Sequence, residues 1–398
     1  MEKLARSVFS DEPESSDAGR RAGEALLAEF GTERPKAVLV YATMNHEQSD
    51  VLAGLRGVLG KDVRLFGCSV QGVVSGDHLT EDGFALAVMG LGGSRLGCAT
   101  AVEREIEDDS REKGRRLAHA LKRDLGGEPK VVVLLYDPLC GADVNTILEG
   151  VRLEVGCPLV GGGASQPWGP PRQTFQYWDR EVFSHGILGL ALGGPFALEI
   201  GICHGTAPSG IASVVTKAAG NHILEMDGRP AGDVWRETTG CRAEDLVHQS
   251  HFATWALGVE VEGPEGQIER AIRGAFGFDP QTSAIILQAA VPEGARVMLH
   301  HRTIENILGG TEEMARDLAA RLAGRRPWAV LGFECAARTY PFLGPANTSK
   351  EHEHLRAAVA PAAPWLGMMG WGEIGPCAGR PAFHNYTYPL LILTDEKA

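Results

Sequence analysis

No two of the eight cysteines stand at a C-x-x-C spacing. Cys68, Cys98, Cys140, Cys157, Cys203, Cys241, Cys335 and Cys377 are scattered singly, which excludes a zinc ribbon and a thioredoxin-type redox pair. Met1–Ser10 holds charged residues and no apolar stretch. No secretory signal is expected there, and the expected address is the cytoplasm with reduced thiols. Long apolar runs are also missing. The longest nearly uncharged stretch, Val182–Thr216, is broken by Glu199 and carries His185, His204, Pro195, Pro208 and many glycines. It predicts buried strands with turns rather than a membrane helix. Basic charge is in short supply. Lys and Arg number 38 against 51 Asp and Glu, a net charge of −13. Such a chain repels a phosphate backbone, so neither nucleic acid nor a membrane is expected as partner.

Phosphate and metal motifs are absent too. There is no G-x-x-x-x-G-K-[ST], and Gly90–Arg95 lacks the third glycine of the dinucleotide fingerprint. The close histidine groups, His300-His301 and His352-Glu353-His354, have neither H-E-x-x-H spacing nor a shared face. What is present is ordinary globular material: 398 residues, 44% of them hydrophobic and 22% charged. That is enough for two or three domains with real cores. The 51 glycines show no G-X-Y period, so they imply tight turns rather than collagen.

A repeat organises the chain. Lys36–Thr43, Lys130–Asp137 and Trp328–Cys335 each predict a buried strand. Each follows an amphipathic helix with an i, i+4, i+8 apolar stripe: Ala22, Leu26, Phe30, then Leu117, Leu121, Leu125, then Met314, Leu318, Leu322. A second helix follows, with Asp50 and Asp143 as predicted N-caps, and Leu55, Gly57, Val58 matched to Leu148, Gly150, Val151. Its third counterpart is predicted at His352–Val359. Short strands ending in glycine come next, at Leu65–Cys68, Leu159–Gly162 and Gly367–Gly370. Longer apolar strands close the copies at Gly83–Met89, Gly186–Leu192 and Tyr388–Thr394. The predicted unit is strand–helix–strand–helix–strand–strand, in three copies. Between copies two and three, from about Phe196 to Ala295, strands predominate, with one short helix at Gly232–Thr239. The predicted class is α/β, of the mixed α+β kind.

Three segments carry a resemblance: Val215–Asp233 (VTKAAGNHILEMDGRPAGD), Arg338–Gly344 (RTYPFLG) and Trp371–Thr387 (WGEIGPCAGRPAFHNYT). Together with the Gly67-Cys68-Ser69 turn they resemble the FIST domain, which has an N-terminal and a C-terminal part. The resemblance assigns residues 1–219 to the first part and 220–398 to the second. One turn departs from the family pattern: His204-Gly205-Thr206-Ala207-Pro208 stands where a Q-G-C-x-P-like turn is usual. The resemblance implies an intracellular sensor of small ligands, usually amino acids or their relatives. It also implies a separate partner, a histidine kinase or a diguanylate cyclase or phosphodiesterase. Some proteins of this type are haem-containing nitric oxide sensors. For haem, the axial candidates here are His204, His222 and Cys157.

The residues add their own chemistry. Glycines on both sides of Glu373 let a turn approach a ligand closely, and strand ends are where α/β folds place ligands. Glu373 suits an ammonium group, and Arg338, just after a strand, suits a carboxylate. Together they would read a zwitterion; the plainer alternative pairs them with each other. Asn385 suits a ligand or a backbone bridge equally. His384 beside it suits a ligand or a satisfied core position. The expected binding set is Arg338, Trp371, Gly372, Glu373, His384, Asn385, Cys68 and Ser69. No catalytic residue is assigned. A hydrolase using Ser69 or Cys68 remains an alternative, although the G-x-S-x-G pattern is not met, since Gly72 stands one position too late.

Overall fold

The computed structural model describes residues 4–170 and 172–396. The first copy runs strand Ala5–Ser10, helix α1 (Ser15–Phe30), strand Pro35–Thr43, helix α2 (Gln48–Leu59), strand Arg64–Val70, a hairpin Gly72–Ser75/His78–Thr80, and strand Leu86–Gly92. The second repeats it with strand Gly97–Arg104, α3 (Ser110–Leu125), Val131–Tyr136, α4 (Val144–Glu154), Leu159–Gly163, the hairpin Gln176–Trp178/Glu181–Phe183, and Gly186–Gly193. The third begins at Ala197–Cys203. It is interrupted by a separate body containing α5 (Ala231–Thr239) and α6 (Gln249–Thr254). It resumes with α7 (Ile304–Leu322), Pro327–Cys335, α8 (Pro345–Val359), Trp365–Gly370, the hairpin Glu373–Cys377/Arg380–His384, and Tyr388–Thr394. In each copy one parallel pair is flanked by antiparallel strands, as with Pro35–Thr43 beside Arg64–Val70.

The hairpins are exchanged in a ring. The first copy's hairpin pairs with Trp365–Gly370 of the third. The second copy's pairs with Arg64–Val70 of the first. The third copy's pairs with Leu159–Gly163 of the second. Each copy thereby gains a six-stranded sheet. Because side chains alternate along a strand, one face of each sheet turns inward. Tyr41 and Phe66, Val133 and Leu135, and Phe333 and Met368 meet there in one buried core. The other faces carry the helices, where Ala22, Leu26 and Phe30 pack on Val38 and Val40. Full burial of such side chains contributes about 1.5–3 kcal/mol each.

The helix pairs are locked by glycines. A Cβ on Gly54 of α2 would stand 2.1 Å from the Ser16 carbonyl oxygen of α1, and one on Gly19 2.1 Å from the Val51 carbonyl oxygen. Gly150 and Gly114 make the same crossing with Arg111 and Ile147 in the second copy. The equivalence therefore runs Gly54 to Gly150, three residues from the sequence match of Gly57. Asp50 likewise lies inside the first turn, with Glu47 at the N-cap, while Asp143 does cap its helix. Two helices beginning with acidic residues allowed the wrong one-turn register. The third copy's second helix starts at Pro345, earlier than expected. Proline is pre-organised for a first helical position, and the Pro- and Gly-rich look of the preceding segment hid it.

The interrupting body is a closed barrel. Its ring order is Thr206–Ala219, Arg296–Arg302, Trp255–Glu262, Ile268–Asp279, Ala284–Leu287 and His222–Met226, which returns to Thr206–Ala219. Helix α5 plugs it with Trp235, which is fully buried among Val215, Ile223, Ile285 and Leu299.

Candidate functional site

The Trp371–Thr387 segment forms a wall between two hollows. Gly372 has φ +84, and a Cβ there would meet the Phe383 ring at 2.4 Å and the Tyr136 hydroxyl at 2.6 Å, so only glycine fits. The Tyr136 hydroxyl donates to the Trp371 carbonyl at 3.1 Å. The Trp371 N–H donates to the Gly163 carbonyl at 3.0 Å, and the Gly163 N–H to the Gly372 carbonyl at 2.8 Å. The Trp371 indole is thus presented from a fixed backbone.

On one side lies a cleft of about 360 Å³ lined by Trp371, Gly372, Asn385, Gln288, Phe276 and Trp168. The Trp168 and Trp371 rings are 5.6 Å apart and tilted by 37°. An adjoining hollow of about 200 Å³ shares Trp168, Phe276 and Ala337 and adds Arg302, Phe342 and Tyr386. Asn385 braces this wall. Its amide N–H donates to Gln288 Oε1 at 2.6 Å, and its Oδ1 accepts from the Gly274 N–H at 2.8 Å. Gln288 in turn donates to the Trp371 carbonyl at 3.2 Å. Asn385 therefore bridges backbone and borders the cleft at once.

On the other side is a cavity of about 390 Å³ lined by His204, His300, His384, Thr206, Thr387 and Glu269. Burial holds all three imidazoles neutral, with His204 and His300 lowered to about 4 and His384 to about 3. Nearby Arg338, His204 and Arg273 respectively add to that lowering.

Glu373 sits inside the wall. Its Oε2 accepts from the Thr387 N–H at 3.1 Å and the Thr387 hydroxyl at 2.9 Å, while Oε1 has no partner. Burial pushes this carboxyl up to about 8. Between its ordinary value and 8 the folded chain keeps a proton that the unfolded chain releases. Stability from this group therefore falls as pH rises, by at most about tenfold in the folding constant per pH unit. The three histidines act oppositely, losing stability as pH drops below about 6.5, their ordinary value. From pH ~6.5 to ~8 Glu373 acts without them. Glu373→Gln, which mimics the protonated form, is expected to flatten the decline in urea midpoint over that interval. An unchanged decline would assign it to another group.

Arg338 is elsewhere engaged. It is fully buried, with Nε 3.2 Å from Glu334, and its Nη2 meets Glu351 and donates to the Thr311 hydroxyl at 2.7 Å. It neither borders the cleft nor pairs with Glu373. Cys68 and Ser69 are also sealed. The Ser69 hydroxyl donates to the Ser165 carbonyl at 3.1 Å and accepts from the Phe175 N–H at 3.0 Å. Burial pushes the Cys68 thiol far above its usual range. The sequence singled out Trp371, Gly372 and Asn385, which the structure brings together. It missed Trp168, Phe276, Gln288 and Arg302, which come from other copies or from the barrel and share no local motif.

The three haem candidates stand in different parts of the fold. His204 Nδ1 accepts the Thr206 N–H at 3.0 Å, which puts its proton on the outward Nε2 where an axial ligand needs a lone pair. The large cleft before it, about 900 Å³, sets Glu269, Glu305, Glu313 and Asp317 against Arg321, an acidic excess that disfavours propionates. His222 belongs to a barrel strand. Cys157 packs against the α4 cluster, and its thiol is raised to about 11 by burial. Among the described residues no three His, Cys, Asp or Glu side chains form a metal cluster, and no helix is long and apolar enough to cross a membrane.

A model of the FIST N domain matches residues 36–229, and one of the FIST C domain matches 231–376. The chain belongs to the FIST family. FIST domains are sensory and signal-transduction domains that bind small ligands. The junction between the two matches falls inside the barrel, whose first two strands belong to FIST N and the rest to FIST C. The cleft likewise takes Trp168 from the stretch matched by FIST N and Trp371 from that matched by FIST C, with Asn385 just beyond the second match.

Full-length relatives are uncharacterized proteins of Mycobacterium. One from Mycobacterium bovis is 27% identical over 96% of this chain and 97% of its own. One from Mycobacterium tuberculosis is 27% identical over 95% and 97%. An uncharacterized protein of Methanocaldococcus jannaschii is 30% identical over 42% of this FIST chain and 33% of its own. A solved cyanuric acid hydrolase from A. caulinodans aligns over 99% of both chains, with a TM-score of 0.42 and 8% identity. That likeness is too low to bear on function.

Proposed function

We propose that the protein is a sensory domain that takes a small metabolite into the Trp168–Trp371 cleft. It then reports occupancy to a separate signalling enzyme, a histidine kinase or a diguanylate cyclase or phosphodiesterase. The observation that carries this reading is the cleft itself. It is concave, aromatic-walled and placed where the two FIST parts and the barrel meet, the usual character of a small-molecule site. Its two tryptophans are held differently. Trp371 stands on the pinned wall. Trp168 is 42% exposed and rides a loop closed by Gln166, whose amide N–H donates to the Gly169 carbonyl at 2.9 Å and whose Oε1 accepts the Gln173 N–H at 2.7 Å. A guest that packs on both would favour one loop position, and that difference in affinity is what a partner would sense.

The sealed Ser69 and Cys68 favour this reading over a hydrolase, and the acid-lined cleft before His204 favours it over a haem sensor. A thermal-shift screen of small metabolites tests it. A ligand at a hundred times its Kd should stabilise the protein by about 2.7 kcal/mol, and Trp371→Ala should abolish the shift. Absence of any stabilising metabolite, or a shift that survives the substitution, would overturn the proposal.

A further inference from the structure

The cleft and its adjoining hollow hold donors and positive charge but no carboxylate. Their charged lining residues, among those described, are Arg172 and Arg302. Arg302 ends the barrel strand Arg296–Arg302 and is only 1% exposed. Its guanidinium lies over Tyr386 at 3.7 Å and over Phe342 at 4.3 Å. Nη1 donates to the Ala253 carbonyl at 2.5 Å and Nη2 to the Ala337 carbonyl at 3.3 Å, but Nε has no partner. Among the described residues no carboxylate forms an ion pair with it. Glu373 is the acidic side chain whose field reaches it, and burial keeps that group largely protonated at neutral pH.

Arg338 shows the contrast. It is just as deeply buried and carries two glutamates. A buried cation without a counter-ion is costly to keep out of water. With Nη1 and Nη2 already on carbonyls, the Nε side of the Arg302 guanidinium is what remains for a carboxylate. A second orphan points the same way. Trp371 Nε1, a donor only, is buried and unpartnered. Among the described residues, the unpartnered buried side-chain atoms of the residues lining these hollows are both donors, and no acidic side chain lines them to read an ammonium group.

Resting on the sensor reading and narrowing it, we infer that the guest is an aromatic-bodied carboxylate rather than a free amino acid. Its carboxylate supplies the counter-ion that Arg302 lacks, its ring packs on Trp168 and Phe276, and an acceptor on it receives the Trp371 N–H.

Three probes of one shape test this: 4-hydroxyphenylacetate, its neutral amide, and the cation tyramine, each titrated against tryptophan fluorescence of the full chain. The acid should bind at least about tenfold more tightly than the amide, a difference of about 1.4 kcal/mol, and tyramine most weakly. Arg302→Met should erase the acid's advantage over the amide. Arg302→Lys, which keeps the charge but not the fork, should retain part of it and guards against a variant that merely misfolds. Amide or tyramine binding as tightly as the acid, or an acid preference that survives Arg302→Met, overturns the inference. Binding of none of the three overturns it as well, while a Trp371-dependent hit in the metabolite screen would leave the sensor reading standing.

Discussion

Arg338→Met is expected to destabilise the fold by about 3–5 kcal/mol and to leave binding in the Trp168–Trp371 cleft intact. Arg338 is enclosed by Glu334, Glu351, Thr311 and Cys203, deep under α7 and α8. Removing the guanidinium leaves two carboxyls facing each other without water. Burial already pushes Glu334 well up, with Glu351 adding to the effect and Arg338 opposing it. The two carboxyls would then be buried together without a cation, which is a costly arrangement. The partner change Glu351→Met, combined with Arg338→Met, should recover part of the loss, because an apolar pair of similar volume removes one of the two stranded carboxyls and leaves Glu334. Urea midpoints of the single and double variants measure this. A stable Arg338→Met protein that no longer binds ligand would instead make Arg338 a ligand reader.

Two substitutions three residues apart on α2 should have opposite signs. Gly54→Ala places a Cβ 2.1 Å from the Ser16 carbonyl oxygen and 2.8 Å from the Arg20 nitrogen, both rigid helix backbone. The helices must part, at a cost of about 3 kcal/mol. Gly57→Ala meets nothing within 4 Å. It should stabilise α2 by about 0.5–1 kcal/mol, because alanine loses less backbone entropy in a helix. Thermal midpoints of the two proteins provide the comparison. Equal effects would mean that α1 and α2 do not cross at Gly54.

These examples also mark how far the sequence could be followed. The three copies were legible because Ala22, Leu26 and Phe30, and their counterparts, repeat with helical period beside strands of uniform hydrophobicity. The choice between Gly54 and Gly57 was not, since a glycine that accepts a neighbouring helix and one that faces water look alike in a chain. The exchanged hairpins were also hidden. Gly72–Ser75 pairs with a strand nearly three hundred residues away, and no local pattern encodes that partner. The site divides in the same way. Trp371, Gly372 and Asn385 share one motif and one wall. Arg338 and Arg302 both follow or end apolar strands, and only the presence of Glu334 and Glu351 around the first distinguishes the structural arginine from the unpaired one.

A metabolite seated against Trp371 would be seen in the indole N–H resonances of the seven tryptophans during titration with a stabilising ligand. Trp371→Phe identifies the relevant peak by its loss. This peak should shift as the unpartnered N–H gains an acceptor, together with that of Trp168, while buried Trp235 and Trp365 stay in place. A saturating ligand that leaves the Trp371 peak unmoved would contradict it.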